Sequence, residues 1–188
     1  MKHALSEARR VLDALLADSA AMNAVETVAG ALAGCIRAGG KILICGNGGS
    51  ACDAAHFAEE LTGRFRSDRP PLPAIACTDI GHITCTANDY GFEFVFSRWV
   101  EALGKRGDVL VVLSTSGNSS NIVRAVESAA RIGVTTVALL GKDGGKLRAR
   151  CTHEVIVPGE TSDRIQELHM LLLHGFVEHI ERSIAGRS

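Results

Sequence analysis

The 188-residue chain has few of the features of a nucleic-acid-binding protein. It contains one tryptophan, Trp99, and one tyrosine, Tyr90, which are too few aromatic rings to stack on a series of bases. Its formal net charge is -1, and the 20 basic and 21 acidic residues are mixed along the chain, so the sequence offers no basic stripe to a phosphate backbone. A small-molecule function is therefore favoured.

The first 22 residues lack a long apolar run. Charged residues interrupt them every few positions, which leaves neither the apolar segment of a signal peptide nor the length of a membrane span. The six cysteines include no Cys-x-x-Cys pair, which predicts free thiols rather than disulfides or a thiolate zinc site. We expect a cytoplasmic protein with no membrane or nucleic-acid partner.

Apolar periodicity predicts alternating strands and helices after an N-terminal helical pair. Strands are predicted at 42–45, 74–77, 109–113, 135–140 and 154–157. Helices are predicted from about residue 50, at 93–103, 119–132 and 163–184, with a short one after 141–145 and a turn at 88–91. This order predicts one domain over 1–188, in which helices within 1–38 precede a doubly wound parallel α/β core at 39–188.

The alanine-rich N-terminal helical pair lies outside the strand and helix alternation. Such a pair often packs on a neighbouring subunit, which predicts an oligomer. The alternative is that it folds back onto its own sheet.

The stretch from Lys41 to Phe65 organises the rest of the chain. A buried strand breaks into the loop Gly46 to Gly49, and a helix restarts near Ser50. The first turn of a helix has unpaired amide donors and a partial positive charge, and glycines let an anion approach the backbone. The pattern predicts a phosphate site, although a plain glycine turn has the same spacing.

His56 and Glu60 stand four residues apart on that helix. They therefore project from one face, with Cβ atoms about 5–6 Å apart, and can meet one substrate or one metal ion. The spacing alone also fits an ordinary solvated helix face.

The second informative loop is Ser114 to Ser119, which follows the most apolar strand. It carries four hydroxyls, on Ser114, Thr115, Ser116 and Ser119, whereas a helix N-cap needs only one. Ligands of open α/β sheets bind where the winding reverses, so this loop and the glycine loop are neighbours if strands one and three are adjacent. Together the two loops predict a pocket for a phosphorylated sugar.

A dinucleotide site is the alternative, since Gly46, Gly48 and Ala51 satisfy the GxGxxA pattern after a strand. Asp68 or Asp79 would then bind the ribose. This hypothesis leaves the serine-rich loop and the His56 and Glu60 face without a role, so we rank it lower.

The last predicted helix carries Gln166 and His174, eight residues apart. This spacing corresponds to a rise of roughly 12 Å. Both side chains would share one ligand only by reaching toward each other, or by contributions from two subunits.

Several motifs together resemble one known family. They are ICGNGGSACDAAHFAEELTGRF, LSTSGNSSN, GKDGGK and DRIQELHMLLLHGFVEHIE. The chain from about residue 40 to 180 resembles the sugar isomerase (SIS) family, and within it the enzymes that act on sedoheptulose 7-phosphate. The resemblance implies a five-stranded sheet in flavodoxin-like order and a cytoplasmic homotetramer with sites at subunit interfaces. The implied reaction forms D-glycero-D-manno-heptose 7-phosphate through an enediol, for ADP-heptose and lipopolysaccharide core synthesis.

The resemblance also implies the roles of individual residues. One zinc ion per subunit would be held by His56, Glu60, Gln166 and His174. The implied substrate contacts are Asn47, Gly48, Gly49, Ser50, Glu60, Asn88, Asp89, Ser114, Thr115, Ser116, Ser119 and Gln166. Glu60 would be the base that moves the proton between C1 and C2, and His174 would exchange the hydroxyl proton.

A non-catalytic relative of this family binds the replication initiator DnaA. The alternative function is therefore a binding module that associates with DnaA or senses a sugar phosphate. That relative lacks the glutamate and the last-helix histidine, so Glu60 and His174 favour the enzyme.

Overall fold

The computed structural model describes residues 1–185, which form five β-strands and seven α-helices. The strands are β1 (Ile42–Gly46), β2 (Ala74–Ala76), β3 (Val109–Ser114), β4 (Thr135–Gly141) and β5 (His153–Val157). The helices are α1 (Lys2–Ala17), α2 (Ser19–Arg37), α3 (Gly49–Thr62), α4 (Ile80–Asp89), α5 (Val95–Leu103), α6 (Ser120–Ile132) and α7 (Ser162–Ile184). Short 3₁₀ turns occupy Phe92–Phe94 and Gly145–Leu147.

The strands form one parallel sheet in the order β2-β1-β3-β4-β5. The winding reverses between β1 and β3, because β2 lies on the far side of β1. Gly46 at the end of β1 pairs with Leu113 near the end of β3, so the two following loops leave the same edge side by side. The predicted doubly wound sheet and the adjacency of its first and third strands are confirmed.

Two apolar layers cover the sheet. One layer packs α2, α3 and α7 around Leu32, Phe57 and Phe176. The other packs α5 and α6 around Trp99 and Ile122. Because α3 and α7 lie in the same layer and contact each other, their polar faces meet at one edge of it.

Helix α2 is the one described helix long and apolar enough to cross a membrane by length and composition. Its apolar face, including Val28, Leu32 and Ala33, is buried in the first layer. A core helix of a globular protein satisfies the same criterion, and α2 folds back onto its own sheet as the alternative interpretation expected. Helix α1 packs Val11 and Leu15 against Ile165 of α7.

The structure corrects the sequence prediction around residues 79–94. Asn88 and Asp89, predicted in a turn, lie in the last turn of α4, for which no helix was predicted. Helix α4 has low intrinsic propensity because it contains Gly81 and several β-branched residues. Its first turn is stabilised by Asp79, whose carboxylate accepts the His82 backbone N–H. The helix predicted from residue 93 begins as the 3₁₀ turn and becomes α-helical only at Val95.

Candidate active site

A small polar pocket lies at the carboxyl edge of the sheet, between the loops that follow β1 and β3 and the start of α7. It is lined by Asn47, Ser50, Leu113, Ser114, Thr115, Ser116, Ser119, Ser162 and Gln166. Its volume of about 90 Å³ suits a small group. Pockets for larger ligands are commonly about 300–1,000 Å³, so this volume argues against a whole dinucleotide here.

Three helices, α3, α6 and α7, begin at this pocket. Their N-cap residues, Gly48, Ser119 and Thr161, make no side-chain capping hydrogen bond. Helices α2 and α4, which begin elsewhere, are capped by Asp18 and Asp79. With no capping side chain in the way, the first-turn amides and positive dipole ends of three helices are directed at one place, which favours a bound anion.

The two loops are held in place by hydrogen bonds. The side-chain amides of Asn47 and Asn121 form a reciprocal pair at 2.8 and 2.9 Å, and Asn121 is buried. Ser114 Oγ accepts the Gly117 N–H at 3.1 Å, and Ser116 Oγ accepts the Asn118 N–H at 3.2 Å. Each of these hydroxyls therefore still has its own proton to donate to a ligand.

Sequence reasoning missed Ser162 and Asn121. The Ser162 hydroxyl lies 3.1 Å from Thr115 Oγ1 and lines the pocket. The sequence did contain a signal for Ser162. The last helix follows a parallel strand, so its first residues lie at the same sheet edge as the loops after the first and third strands. No pattern in the sequence marks Asn121, because its role depends on its hydrogen bonds with the distant residue Asn47.

Two turns beyond the pocket, His56 and Glu60 of α3 meet His174 of α7. The Nε2 atoms of the two histidines are 3.2 Å apart, and Glu60 Oε1 lies 3.2 Å from His56 Nε2 and 3.4 Å from His174 Nε2. The second carboxylate oxygen of Glu60, Oε2, is buried and has no hydrogen-bond partner. The predicted pairing of an imidazole and a carboxylate on one helix face is therefore extended by a second imidazole from another helix.

These three residues fit a zinc ion. Their ligand atoms lie within 4.8 Å of one another and form a nearly equilateral triangle with edges of 3.2, 3.2 and 3.4 Å. Tetrahedral zinc with bonds of about 2.0–2.1 Å holds its ligand atoms roughly 3.3–3.4 Å apart, and it accepts imidazole and carboxylate together. The unpartnered buried oxygen of Glu60 is a further reason to expect a cation beside that carboxylate.

Gln166 was predicted as the fourth metal ligand. Its side-chain amide donates to Ser50 Oγ at 3.3 Å and lines the pocket, two helical turns before His174. The structure thus brings three of the four predicted ligands together, and the role of Gln166 at the metal stays a prediction. Helices α3 and α7 run side by side, with the pocket at their N-terminal ends and the His56, Glu60 and His174 cluster farther along.

Asn88 and Asp89, two predicted substrate contacts, are exposed at the end of α4 and are not among the residues that line the pocket. Their described side-chain contacts are with each other and with Cys85. Within one chain they are not brought to the pocket, and their contact with substrate stays a prediction.

Phe65, in the loop after α3, is a further residue that sequence reasoning missed. Its ring stacks on that of His174, with centroids 5.9 Å apart and planes inclined by 16°. The contact restricts the plane of the imidazole whose Nε2 faces Glu60.

The sheet order, the anion pocket and the cluster define a SIS-domain protein of the sugar isomerase class. The SIS domain family matches residues 5–141. The phosphoheptose isomerase of Fusobacterium nucleatum subsp. nucleatum is 59% identical over 157 residues, 84% of this chain and 81% of that protein. That of Proteus mirabilis is 51% identical over 181 residues, 96% of this chain and 94% of that protein.

A solved structure, the phosphoheptose isomerase GmhA of Neisseria gonorrhoeae, superposes with a TM-score of 0.89 at 41% identity, covering 96% of each chain. The chain belongs to the phosphoheptose isomerase family of SIS-domain proteins. The resemblance drawn from the sequence motifs is confirmed.

Proposed function

We propose that the protein is an aldose-ketose isomerase that converts sedoheptulose 7-phosphate into D-glycero-D-manno-heptose 7-phosphate. The observation that carries this proposal is the placement of an anion pocket and a carboxylate with two imidazoles on the same pair of helices, α3 and α7. The phosphoheptose isomerase names of relatives at 51% and 59% identity support the same reaction.

The distance between the pocket and the cluster suits a seven-carbon sugar phosphate. Gln166 and His174 are separated by eight residues of α7, a rise of roughly 12 Å. An extended seven-carbon chain with a terminal phosphate is roughly 10 Å long, since each of its bonds is near 1.5 Å. A phosphate in the pocket therefore allows the carbonyl end of the sugar to reach Glu60 and His174.

The reaction moves a carbonyl group from C2 to C1. The Glu60 carboxylate would act as the base when its bond to the metal loosens, since an oxygen bound to a cation does not accept a proton. It then takes a proton from C1, and the released electron pair forms the double bond of the enediol while the C2 oxygen gains a proton. Glu60 then returns a proton to C2, and the C1 hydroxyl loses its proton to give the aldehyde. His174 carries the hydroxyl proton between the two oxygens, so no atom is gained or lost overall.

Zinc held by His56, Glu60 and His174 would polarise the carbonyl and stabilise the negative charge of the enediol. Gln166 lines the pocket roughly 12 Å along α7 from His174, so it would become the fourth ligand only after a rearrangement of its side chain or from a second subunit. The chain itself supplies the remaining parts. Hydroxyls of Ser114, Thr115, Ser116 and Ser119 and the amides of three helices bind the phosphate. Binding at that end holds the reacting carbons in place, which is a large part of the rate gain.

We further propose that the protein acts as a single-domain subunit of a cytoplasmic homotetramer. The exposed position of Asn88 and Asp89, away from the pocket of their own chain, supports a site completed by a neighbouring subunit.

The test is turnover of sedoheptulose 7-phosphate by the zinc-loaded protein and by its Glu60→Gln variant. We expect the variant to lose at least about a thousandfold in kcat, because the amide cannot accept the C1 proton, while inorganic phosphate binds with unchanged affinity. Glu127→Gln, the same change on an exposed face of α6, is the control and should retain wild-type turnover. Full activity of Glu60→Gln would remove Glu60 as the base. If the wild-type protein showed no turnover but bound DnaA, the binding-module function would replace the enzyme function.

A further inference from the structure

The segment that follows α3, residues 65–69, lies along one face of α7. It makes three contacts there: Phe65 with His174, Arg66 with Glu178, and Arg69 with Glu181. The partners on α7 are spaced by four and three residues, which places them on one stripe of that helix. The stripe begins at the histidine of the candidate site.

Arg69 differs from its neighbours because it also contacts α3. Its guanidinium donates to the backbone carbonyls of Glu60 and Leu61, and its Nε lies 2.9 Å from Glu181 Oε1 on α7. The side chains of Arg69 and Glu181 are only 10% and 13% exposed. A single, largely buried guanidinium thus joins the backbone of Glu60 to the helix that carries His174.

The chemistry of this contact is suited to fixing a distance. The last carbonyls of a helix have no partner within the helix, and a cation at that end also complements the helix dipole. A planar guanidinium that donates to several oxygens at once holds them in one geometry, which a lysine cannot reproduce.

We propose that Arg69 is a positioning residue of the active site, which sets the separation of Glu60 and His174 by tying the last turn of α3 to α7. The inference rests on the proposed function of that site. Glu60 Oε1 and His174 Nε2 are 3.4 Å apart, and both the metal triangle and the proton transfers depend on that separation. Arg69 is not among the residues that line the pocket or form the metal cluster, and it acts through Glu60.

The test compares variants that remove the tie without leaving a buried charge unpaired. Arg69→Met combined with Glu181→Leu replaces the ion pair by apolar side chains of similar size, a change that folded proteins often tolerate. Arg69→Lys keeps the charge but loses the planar arrangement of donors that reaches several oxygens at once. The remote control is Arg131→Met with Glu101→Leu, which removes an ion pair between α6 and α5 on the other side of the sheet.

We expect the Arg69 and Glu181 double variant to bind zinc about tenfold more weakly in competition with a chelator, and to lose about tenfold to a hundredfold in kcat. The KM for the sugar phosphate should stay within about twofold, because the pocket residues are untouched. The zinc affinity and kcat of Arg69→Lys should lie between those of the double variant and those of the wild type. The remote control should match the wild type in zinc affinity and in kcat.

Wild-type zinc affinity and kcat in both Arg69 variants, with only a lower melting temperature, would overturn the proposal and leave Arg69 with a purely structural role. A rise in KM equal to the fall in kcat would also overturn it, since the pocket would then be affected. Wild-type protein that binds zinc but does not turn over the sugar phosphate would refute the proposed function alone. The zinc affinities of the variants would still decide the role of Arg69.

Discussion

Gly49 of α3 lies against the side chain of Gln166 of α7 at the pocket. A Cβ atom at this position would lie 2.8 Å from Gln166 Oε1 and 2.9 Å from its Nε2. The amide of Gln166 therefore occupies the space that any larger residue would take. Since Gly49 is the first residue of α3, its lack of a side chain serves the placement of Gln166 rather than the helix itself.

Gly49→Ala should displace the Gln166 amide from the pocket while leaving the fold intact, because the obstructing atoms are the end of a flexible side chain. We expect kcat/KM to fall about tenfold, as in Gln166→Ala, and the double variant to be no worse than either single one. Steady-state kinetics measure kcat/KM of the single and double variants, and melting temperatures test whether the fold is intact. Gly30→Ala, where a Cβ meets nothing within 4 Å, is the control. Additive losses would show that Gly49 acts independently of Gln166.

Site residues could be predicted from the sequence where local spacing carries the information. His56 and Glu60 share a helix face by their separation of four, and four hydroxyls lie within the six residues from Ser114 to Ser119. Ser162, Asn121 and Phe65 were missed because each acts through a partner distant in sequence. No local pattern marks an asparagine that pairs with Asn47 or a phenylalanine that stacks on His174.

Helix α7 combines site residues on one face with a buried titratable group on another. His169 is fully buried, and its Nε2 donates to the Leu140 carbonyl of β4 at 3.1 Å, while Nδ1 has no partner. Burial lowers the pKa of His169 from 6.5 to about 4, against the opposing effect of the hydrogen bond to Leu140. The folded protein therefore holds His169 neutral over a pH range in which the unfolded chain is protonated.

Stability should consequently fall as the pH drops from 6.5 toward 4, because the unfolded state binds the proton and the folded state does not. The titration of His169 changes the free energy of unfolding by at most about 1.4 kcal/mol per pH unit within that window, and it adds no pH dependence above pH 6.5. Urea unfolding of metal-free protein at pH 7.5 and 5.0 measures the change. His169→Met should be less stable at pH 7.5 and less sensitive to pH, whereas His3→Gln, at an exposed position, should keep the wild-type sensitivity. An unchanged pH dependence in His169→Met would contradict this explanation.

Elements were predictable where the hydrophobic pattern is unambiguous. The apolar run Val109 to Leu113 gave β3 to within one residue, and α7 was placed within one residue at its start. Helix α4 was missed because its glycine and β-branched residues argue against a helix, and its stability comes from the Asp79 cap and from packing of Ile83 and Ala87 against the second layer. Tertiary contacts there outweigh intrinsic propensity.

At the scale of the whole molecule, sheet topology was more predictable than assembly. Alternation of strands and helices, with right-handed crossovers, restricts the order of the strands. Large apolar side chains remain exposed on one chain, including Leu5 and Leu16 of α1, Ile80 of α4 and Leu171 of α7. Whether any of these surfaces meets another subunit depends on the shape of the folded chain, which the sequence pattern does not contain.

A site shared between subunits can be tested by mixing two variants that we expect to be inactive on their own, Glu60→Gln and Asp89→Ala. If Asp89 of one subunit completes the site that holds Glu60 of another, random mixed oligomers contain intact sites, and co-expression should restore about one quarter of wild-type activity. Glu60→Gln mixed with His174→Gln is the control, because these residues meet within one chain at 3.4 Å and mixing them should restore nothing. Each variant is first assayed alone, and light scattering of the mixture measures its mass against the 19.8 kDa of one chain. Absence of recovery with Asp89→Ala, in oligomers shown to be mixed, would place Asp89 and Glu60 at the same subunit's site or remove Asp89 from the site altogether.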